Sequence, residues 1–171
     1  ATMFDVGLMG SIVMEARVRQ AALNTGEVFI GFSDVNTDLA IIEGAICHGD
    51  TVTVTLTASD LVGFLMASDL TDNSDWHGVY NGGTTTGQTV STSVDFDAGA
   101  TAGEYQVLRL ELFPNGTAEW WVDGVLEQTV TGAVSTSVDL CLNVIVESKT
   151  TAVKTMDVDY IRVWANRDWT A

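Results

Sequence analysis

The chain has 171 residues, of which 46% are hydrophobic, and its 23 acidic residues outnumber 7 basic ones to give a net charge of −16. This length suits one buried core better than two, and a disordered chain would not carry so many apolar residues. Because so acidic a surface repels phosphates and no apolar run reaches about 18 residues, we expect neither nucleic-acid binding nor membrane insertion.

The first half of the chain alternates between apolar and polar residues in short segments. Met14, Ala16 and Val18 share one face of such a segment, which is typical of a half-buried antiparallel strand. The alternation of the later segment 51–57 predicts that Val52 and Val54 point inwards. The strands predicted in this half cover residues 14–19, 27–32, 39–46, 51–57 and 62–67.

The second half continues the pattern and adds strong turn signals. Asp123-Gly124 is a pair favoured in two-residue hairpins because both residues tolerate positive φ. The turn Phe113-Pro114-Asn115-Gly116 leads into the same hairpin. The strands predicted here cover 76–80, 89–96, 105–112, the two arms of the 117–130 hairpin, 137–146 and 155–164.

The hairpin around Trp120-Trp121-Val122-Asp123-Gly124 and the late strand Asp157-Val-Asp-Tyr-Ile-Arg-Val163 together resemble the last third of a concanavalin A-like domain of the lectin/glucanase or laminin G-like kind. The resemblance implies an all-β fold, an antiparallel β-sandwich or jelly roll. About a dozen short strands and no amphipathic helix agree with one such domain over residues 1–171.

The same resemblance guides the functional prediction. Non-catalytic domains of this type serve as lectins, adhesion modules and surface proteins of bacteriophage particles, and the acidic, Thr-rich chain is similar to such particle proteins. Family 16 glycoside hydrolases share the sandwich but carry a Glu-x-Asp-x-x-Glu (or Glu-x-Asp-x-Glu) run along one strand. This chain has no such run, since Glu111 and Glu119 lie on separate strands. The sequence therefore predicts that the protein is not an enzyme.

The segment 76–81 is the first candidate ligand site. Trp76, His77, Tyr80 and Asn81 lie between an acidic loop and a glycine-rich loop. Exposed aromatic rings beside amides and carboxylates suit a sugar, because the rings stack on the pyranose and the polar groups bind its hydroxyls. The alternative is that Trp76 and Tyr80 cover one end of the core.

Trp121 is the second candidate ligand residue. Because it follows Trp120 directly on a strand, the two indoles must point to opposite faces. Trp120 belongs to the apolar set that should line the core, whereas Trp121 shares its face with Glu119 and Asp123. We therefore expect Trp121 to be partly exposed, where it would contact a protein or a sugar, unless a loop covers it.

Asp69, Asp72 and Asp75 form the candidate metal site. Calcium prefers oxygen ligands from flexible loops, and many members of the resembled fold bind it. The spacing does not match an EF-hand loop, so a solvated acidic turn is the alternative. Cys47 and Cys141 each lie in an apolar strand pattern, which favours buried free thiols over a disulfide.

These observations lead to one main functional prediction and one alternative. The main prediction is a surface module of a phage virion, such as a decoration or fibre protein, acting on the virion surface or in another extracellular setting. Its partners would be capsid or other virion proteins, cell-surface glycans, or further copies of itself. The alternative is a carbohydrate-binding lectin domain assisted by calcium, and a polysaccharide hydrolase ranks third.

Overall fold

The computed structural model describes residues 3–37, 42–149 and 151–166, and these fold almost entirely into strands. A π-helical turn at Ile42–Ile46 and a 3-10 turn at Ser91–Ser93 are the helical segments of this part. None of its helices could cross a bilayer. In chain order the strands are β1 Met3–Asp5, β2 Ile12–Gln20, β3 Gly26–Ser33, β4 Cys47–Asp50, β5 Thr53–Leu56, β6 Leu61–Ala67, β7 Asp75–Asn81, β8 Asp95–Gly99, β9 Tyr105–Leu112, β10 Ala118–Val122, β11 Val125–Val130, β12 Asp139–Ser148 and β13 Met156–Ala165.

Two antiparallel sheets make up the body of the fold. The six-stranded sheet has the order β1-β12-β3-β6-β7-β8, and the five-stranded sheet has the order β11-β10-β9-β2-β13. Strands β4 and β5 form a separate two-stranded hairpin. The predicted antiparallel β-sandwich is confirmed.

Trp120 joins the two sheets in the core. Its side chain on β10 is fully buried, and its Nε1 donates to the carbonyl oxygen of Gly63 on β6 at 2.9 Å. The rings of Tyr80 and Phe96, from the six-stranded sheet, lie 6.0 and 6.5 Å from the indole. The expectation that Trp120 lines the core with Ala118 and Val122 is confirmed.

A third layer covers the outer face of the six-stranded sheet. Every residue of β3 and β6 is buried, so both faces of these central strands are covered. The five-stranded sheet covers one face, and the π-helical turn and the β4–β5 hairpin contact these strands from the other. The backbone N–H of Gly49 on β4 donates to the carboxylate of Glu27 on β3 at 3.2 Å. The five-stranded sheet therefore offers the broad open face.

Three strand predictions were wrong in this covering region. The apolar run 39–46 was expected to be a strand, but its described part, Ile42–Ile46, is a π-helical turn whose two isoleucines are buried. The expected strand 51–57 is interrupted, because Thr51 has a φ of 56° and turns the chain between β4 and β5. Val52 is consequently 52% exposed rather than inward-facing. The expected strand 89–96 is replaced by the 3-10 turn and the beginning of β8.

The two cysteines are free and buried, as predicted. Cys47 begins β4, and Cys141 lies on β12, where its thiol donates to the carbonyl oxygen of Val35 at 3.0 Å. Burial raises the pKa of both thiols. A raised pKa leaves little thiolate near neutral pH, which disfavours nucleophilic chemistry at these thiols.

Candidate functional site

The outer face of the five-stranded sheet is rich in charged and aromatic side chains. Alternation along β2 buries every second residue and turns Glu15, Arg17 and Arg19 outward. Arg109 on β9 and Arg162 on β13 lie on the same face, next to Glu15 in the strand register. All four arginines of the described part of the chain thus gather on one face of an otherwise acidic protein.

A cavity of about 330 Å³ lies on this face, lined by Glu15, Val107, Arg109, Trp121 and Gly124. Trp121 on β10 lies opposite Arg109, which lies opposite Glu15 on β2. The Tyr160 hydroxyl donates to Glu15 Oε1 at 2.8 Å, and this hydrogen bond raises the pKa of Tyr160. The cavity therefore combines an indole ring, a guanidinium and a carboxylate fixed by a phenol.

Trp121 is partly exposed, as the sequence predicted. A register shift between Trp120 and Trp121 marks an irregularity in the pairing of β10 with β11, and it brings Leu126 opposite Trp121. Leu126 is 43% exposed and extends the apolar surface beside the cavity. The Trp121 Nε1 has no hydrogen-bond partner among the described residues, so packing alone orients the ring.

The Asp123-Gly124 turn forms one wall of the cavity. Its residues have φ values of 50° and 84°, which are the positive values expected of a tight hairpin turn. The Asp123 carboxylate accepts a hydrogen bond from the backbone N–H of Val107 at 2.7 Å, and the Asp123 N–H donates to the Val107 carbonyl oxygen at 2.8 Å. The turn is thereby attached to β9, next to Val107 in the cavity lining.

Replacing Asp123 by Ala should lower the free energy of unfolding by about 1–2 kcal/mol. The change removes the carboxylate acceptor and puts a residue that disfavours positive φ into the turn. Asp123→Asn is the matched control, because it retains one side-chain oxygen and tolerates this backbone conformation. Urea denaturation of both variants measures the difference, and equal stabilities would contradict this role for the carboxylate.

The arginines on this face are paired with carboxylates or stacked on rings. Arg17 contacts Asp159 at 2.7 Å, Arg19 contacts Asp157 at 2.5 Å, and both guanidinium groups lie over the ring of Tyr105. Asp157 and Asp159 thus each pair with a separate arginine.

The other two guanidinium groups of this face also lie against a carboxylate or an aromatic ring. Arg109 contacts Glu111 at 2.5 Å, and Arg162 lies over the ring of Tyr160, 4.9 Å from its centre. Three of the four described arginines are therefore ion-paired, and Arg162 is stacked on a ring without an ion pair to a described residue.

Of the two interpretations of segment 76–81, the structure supports the one in which Trp76 and Tyr80 cover the core, and it does not support exposed rings. Trp76 is 1% exposed and Tyr80 is 3% exposed, because both rings pack in the core from β7. His77 is fully buried, with its Nδ1 3.1 Å from the Asp75 carbonyl oxygen, and the Asn81 amide donates to the Ala58 carbonyl oxygen at 3.1 Å. These residues and Trp121 are on different sheets, so the structure does not bring them together.

The structure does not bring the three carboxylates of the predicted calcium loop together either. Asp75 begins β7, and its backbone N–H donates to the Asp72 carbonyl oxygen at 3.1 Å. Asp69 lies instead 3.8 Å from the Lys149 ammonium. Within the described ranges, no group of three or more His, Cys, Asp or Glu side chains could hold a metal ion.

Sequence reasoning missed Glu15, Val107, Arg109 and Gly124 as parts of the cavity. The alternation of β2 and β9 did indicate that Glu15 and Arg109 face outward. It did not indicate that β2, β9 and β10 are neighbours, because β2 and β9 are separated by more than eighty residues of chain. The missing information was the order of strands in the sheet.

Comparison with known proteins supports the fold assignment. No protein-family model and no curated protein sequence matches the chain. Among solved structures, an alginate lyase of polysaccharide lyase family 7 is similar over 92% of the chain and 60% of its own length, with 10% identity and a TM-score of 0.55. The β-glucanase of Bacillus licheniformis is similar over 98% of the chain and 69% of its own length, with 17% identity and a TM-score of 0.54.

An alginate lyase of Pseudomonas aeruginosa shows the same relation, over 95% of the chain and 67% of its own length, with 10% identity and a TM-score of 0.55. The chain therefore shares its fold with carbohydrate-active proteins. The prediction that the chain is not an enzyme is contradicted by these likenesses, because lyases and a glucanase are enzymes built on this fold. The lack of a glycoside hydrolase motif was too narrow a criterion, since it addressed one enzyme family among several.

Proposed function

We propose that the protein binds glycans through the outer face of its five-stranded sheet. The observation that carries this proposal is the cavity in which the partly exposed Trp121 lies beside Arg109 and Glu15. An indole ring can stack on the apolar face of a pyranose, while a guanidinium donates to sugar hydroxyls and a carboxylate accepts from them. The fold shared with carbohydrate-active proteins supports the same proposal.

The rigidity of the surroundings also favours ligand binding. Glu15 accepts a hydrogen bond from the Tyr160 hydroxyl, and Arg109 donates one to Glu111. The turn that contains Gly124 is held by the hydrogen bonds between Asp123 and Val107. Side chains that are already oriented lose less conformational entropy when a ligand binds. The site is therefore pre-organised on strands rather than on mobile loops.

Replacing Trp121 by Ala should weaken glycan binding about tenfold or more, because the ring supplies most of the apolar surface available for stacking. A glycan array identifies a ligand first, with and without a calcium chelator. Isothermal titration then compares the wild type with Trp121→Ala.

Trp164→Ala is the control for this experiment. Trp164 lies on the same face and is 45% exposed, but it does not line the cavity and reaches it only through Arg109, whose guanidinium lies 6.0 Å from the centre of its ring. Its loss should change the affinity much less than the loss of Trp121. Unchanged binding by Trp121→Ala would place the ligand elsewhere, and a blank array would contradict glycan binding itself.

The setting of this activity stays a prediction. A virion surface or another extracellular surface suits the net charge of −16, because strong negative charge keeps crowded proteins soluble and apart. Co-sedimentation with phage particles would test virion attachment, and light scattering would test the expected homo-oligomer.

A further inference from the structure

We infer that the glycan recognised on this face is uncharged, and that Glu111 sets this selectivity by occupying the guanidinium of Arg109. This inference rests on the proposed function and narrows its ligand class. Among the described residues, Arg109 is the one cation lining the cavity, and its Nη2 lies 2.5 Å from Glu111 Oε1. The Glu111 side chain is only 18% exposed, so water screens this pair less than it screens a fully exposed one.

Among the described residues that line the cavity, a carboxylate or sulfate on a sugar would find only a guanidinium that already pairs with a carboxylate. An arginine binds such a group best through two parallel hydrogen bonds. The Arg109 guanidinium already donates one of its N–H groups to Glu111. The opposite wall carries Glu15, whose negative charge would repel an anionic ligand. The charged lining residues Glu15 and Arg109, together with Glu111 as the ion-pair partner of Arg109, therefore contribute two carboxylates and one guanidinium.

The remaining arginines of the described part of this face do not line the cavity. Arg17 and Arg19 pair with Asp159 and Asp157, whereas Arg162 makes no ion pair with a described residue and lies over the ring of Tyr160, beside Glu15 in the strand register. The whole chain carries a charge of −16, which raises the electrostatic cost of bringing a polyanion to the surface. Sugar hydroxyls, in contrast, can donate to Glu15 and accept from the free N–H groups of Arg109.

The first test compares uncharged and negatively charged oligosaccharides of equal length. Titration with neutral β-glucan and xylan hexamers should give dissociation constants at least about tenfold lower than titration with alginate and polygalacturonate hexamers. Raising the salt concentration from 50 to 500 mM should barely change binding of the neutral hexamers, because no charges are neutralised. Tighter binding of an acidic hexamer would overturn this inference and leave glycan binding standing, whereas binding of neither class would overturn both.

The second test removes the partner of Arg109. Glu111→Gln frees the Arg109 guanidinium from its carboxylate partner. The affinity of this variant for the alginate hexamer should therefore be about fivefold or more above that of the wild type. Glu119→Gln is the matched control, because Glu119 lies directly opposite Glu111 on β10 and changes the net charge equally without pairing with an arginine in the described part of the chain. An equal gain in both variants would show a general charge effect and overturn the role of Glu111.

Discussion

Replacing Trp120 by Ala is expected to lower the free energy of unfolding by about 3–5 kcal/mol, the largest effect of any single change considered. The fully buried indole fills the space between the sheets, and its removal leaves a cavity beside Tyr80 and Phe96. It also removes the hydrogen-bond donor to the Gly63 carbonyl oxygen, a buried acceptor on the opposite sheet. Since many domains are stable by only 5–15 kcal/mol, this variant should be close to unfolding at ambient temperature.

The neighbouring Trp121 supplies the control, because the two residues have the same side chain and adjacent positions. Trp121→Ala should cost about 1 kcal/mol or less, since its ring is partly exposed and donates no hydrogen bond to any described residue. Urea denaturation followed by circular dichroism separates the two variants. Similar losses of stability would contradict the assignment of one indole to the core and the other to the ligand face.

The adjacent tryptophans also show how far the sequence predicts this fold. Alternation on a strand requires opposite faces, and the neighbours Ala118 and Val122 identify the buried one. The Asp123-Gly124 turn was predictable for a similar reason, because few residue pairs accept two consecutive positive φ values. Such local rules recovered most strands of the sandwich.

Local rules failed where tertiary contacts decide the structure. The sequence left open whether the rings of strand β7 are exposed or cover the core, and Trp76 and Tyr80 are buried because the five-stranded sheet packs against them. The runs 39–46 and 51–57 were predicted to be strands, but the described residues 42–56 form a π-helical turn and a hairpin that cover the outer face of the six-stranded sheet instead of joining it. The cavity itself requires strands that are distant in sequence to be neighbours, which no local pattern specifies.

Glu27 should make the stability of the protein depend on pH, because its carboxyl group is fully buried beneath the covering hairpin. Burial is the main cause that raises its pKa from 4.5 to about 7. The folded state then keeps a proton that the unfolded state has already released. This contribution to stability is fully present below pH 4.5 and is lost as the pH rises through about 7, at a cost of about 3 kcal/mol.

The surroundings of Glu27 explain why its charge is only partly compensated. Oε1 accepts from the Gly49 N–H and lies 3.6 Å from the Lys149 ammonium, whereas Oε2 has no hydrogen-bond partner among the described residues. Lys149 lies closer to Glu43, at 2.7 Å, and also faces Asp69 at 3.8 Å. The Lys149 ammonium therefore faces three carboxylates. Its attraction for the buried Glu27 carboxylate is too weak to offset the cost of desolvating that charge.

Glu27→Gln should remove this pH dependence while keeping an acceptor for Gly49. The stability of the variant relative to the wild type is expected to increase by about 3 kcal/mol between pH 4.5 and 7.5, measured by urea denaturation at each pH. Glu43→Gln is the control, because Glu43 is exposed and its hydrogen bond with Lys149 lowers its pKa, so its contribution is lost only as the pH falls through that lowered pKa. A constant difference between Glu27→Gln and the wild type would show that Glu27 is ionised throughout this range. The hairpin would then be held over the sheet by a charged carboxylate rather than by a protonated one.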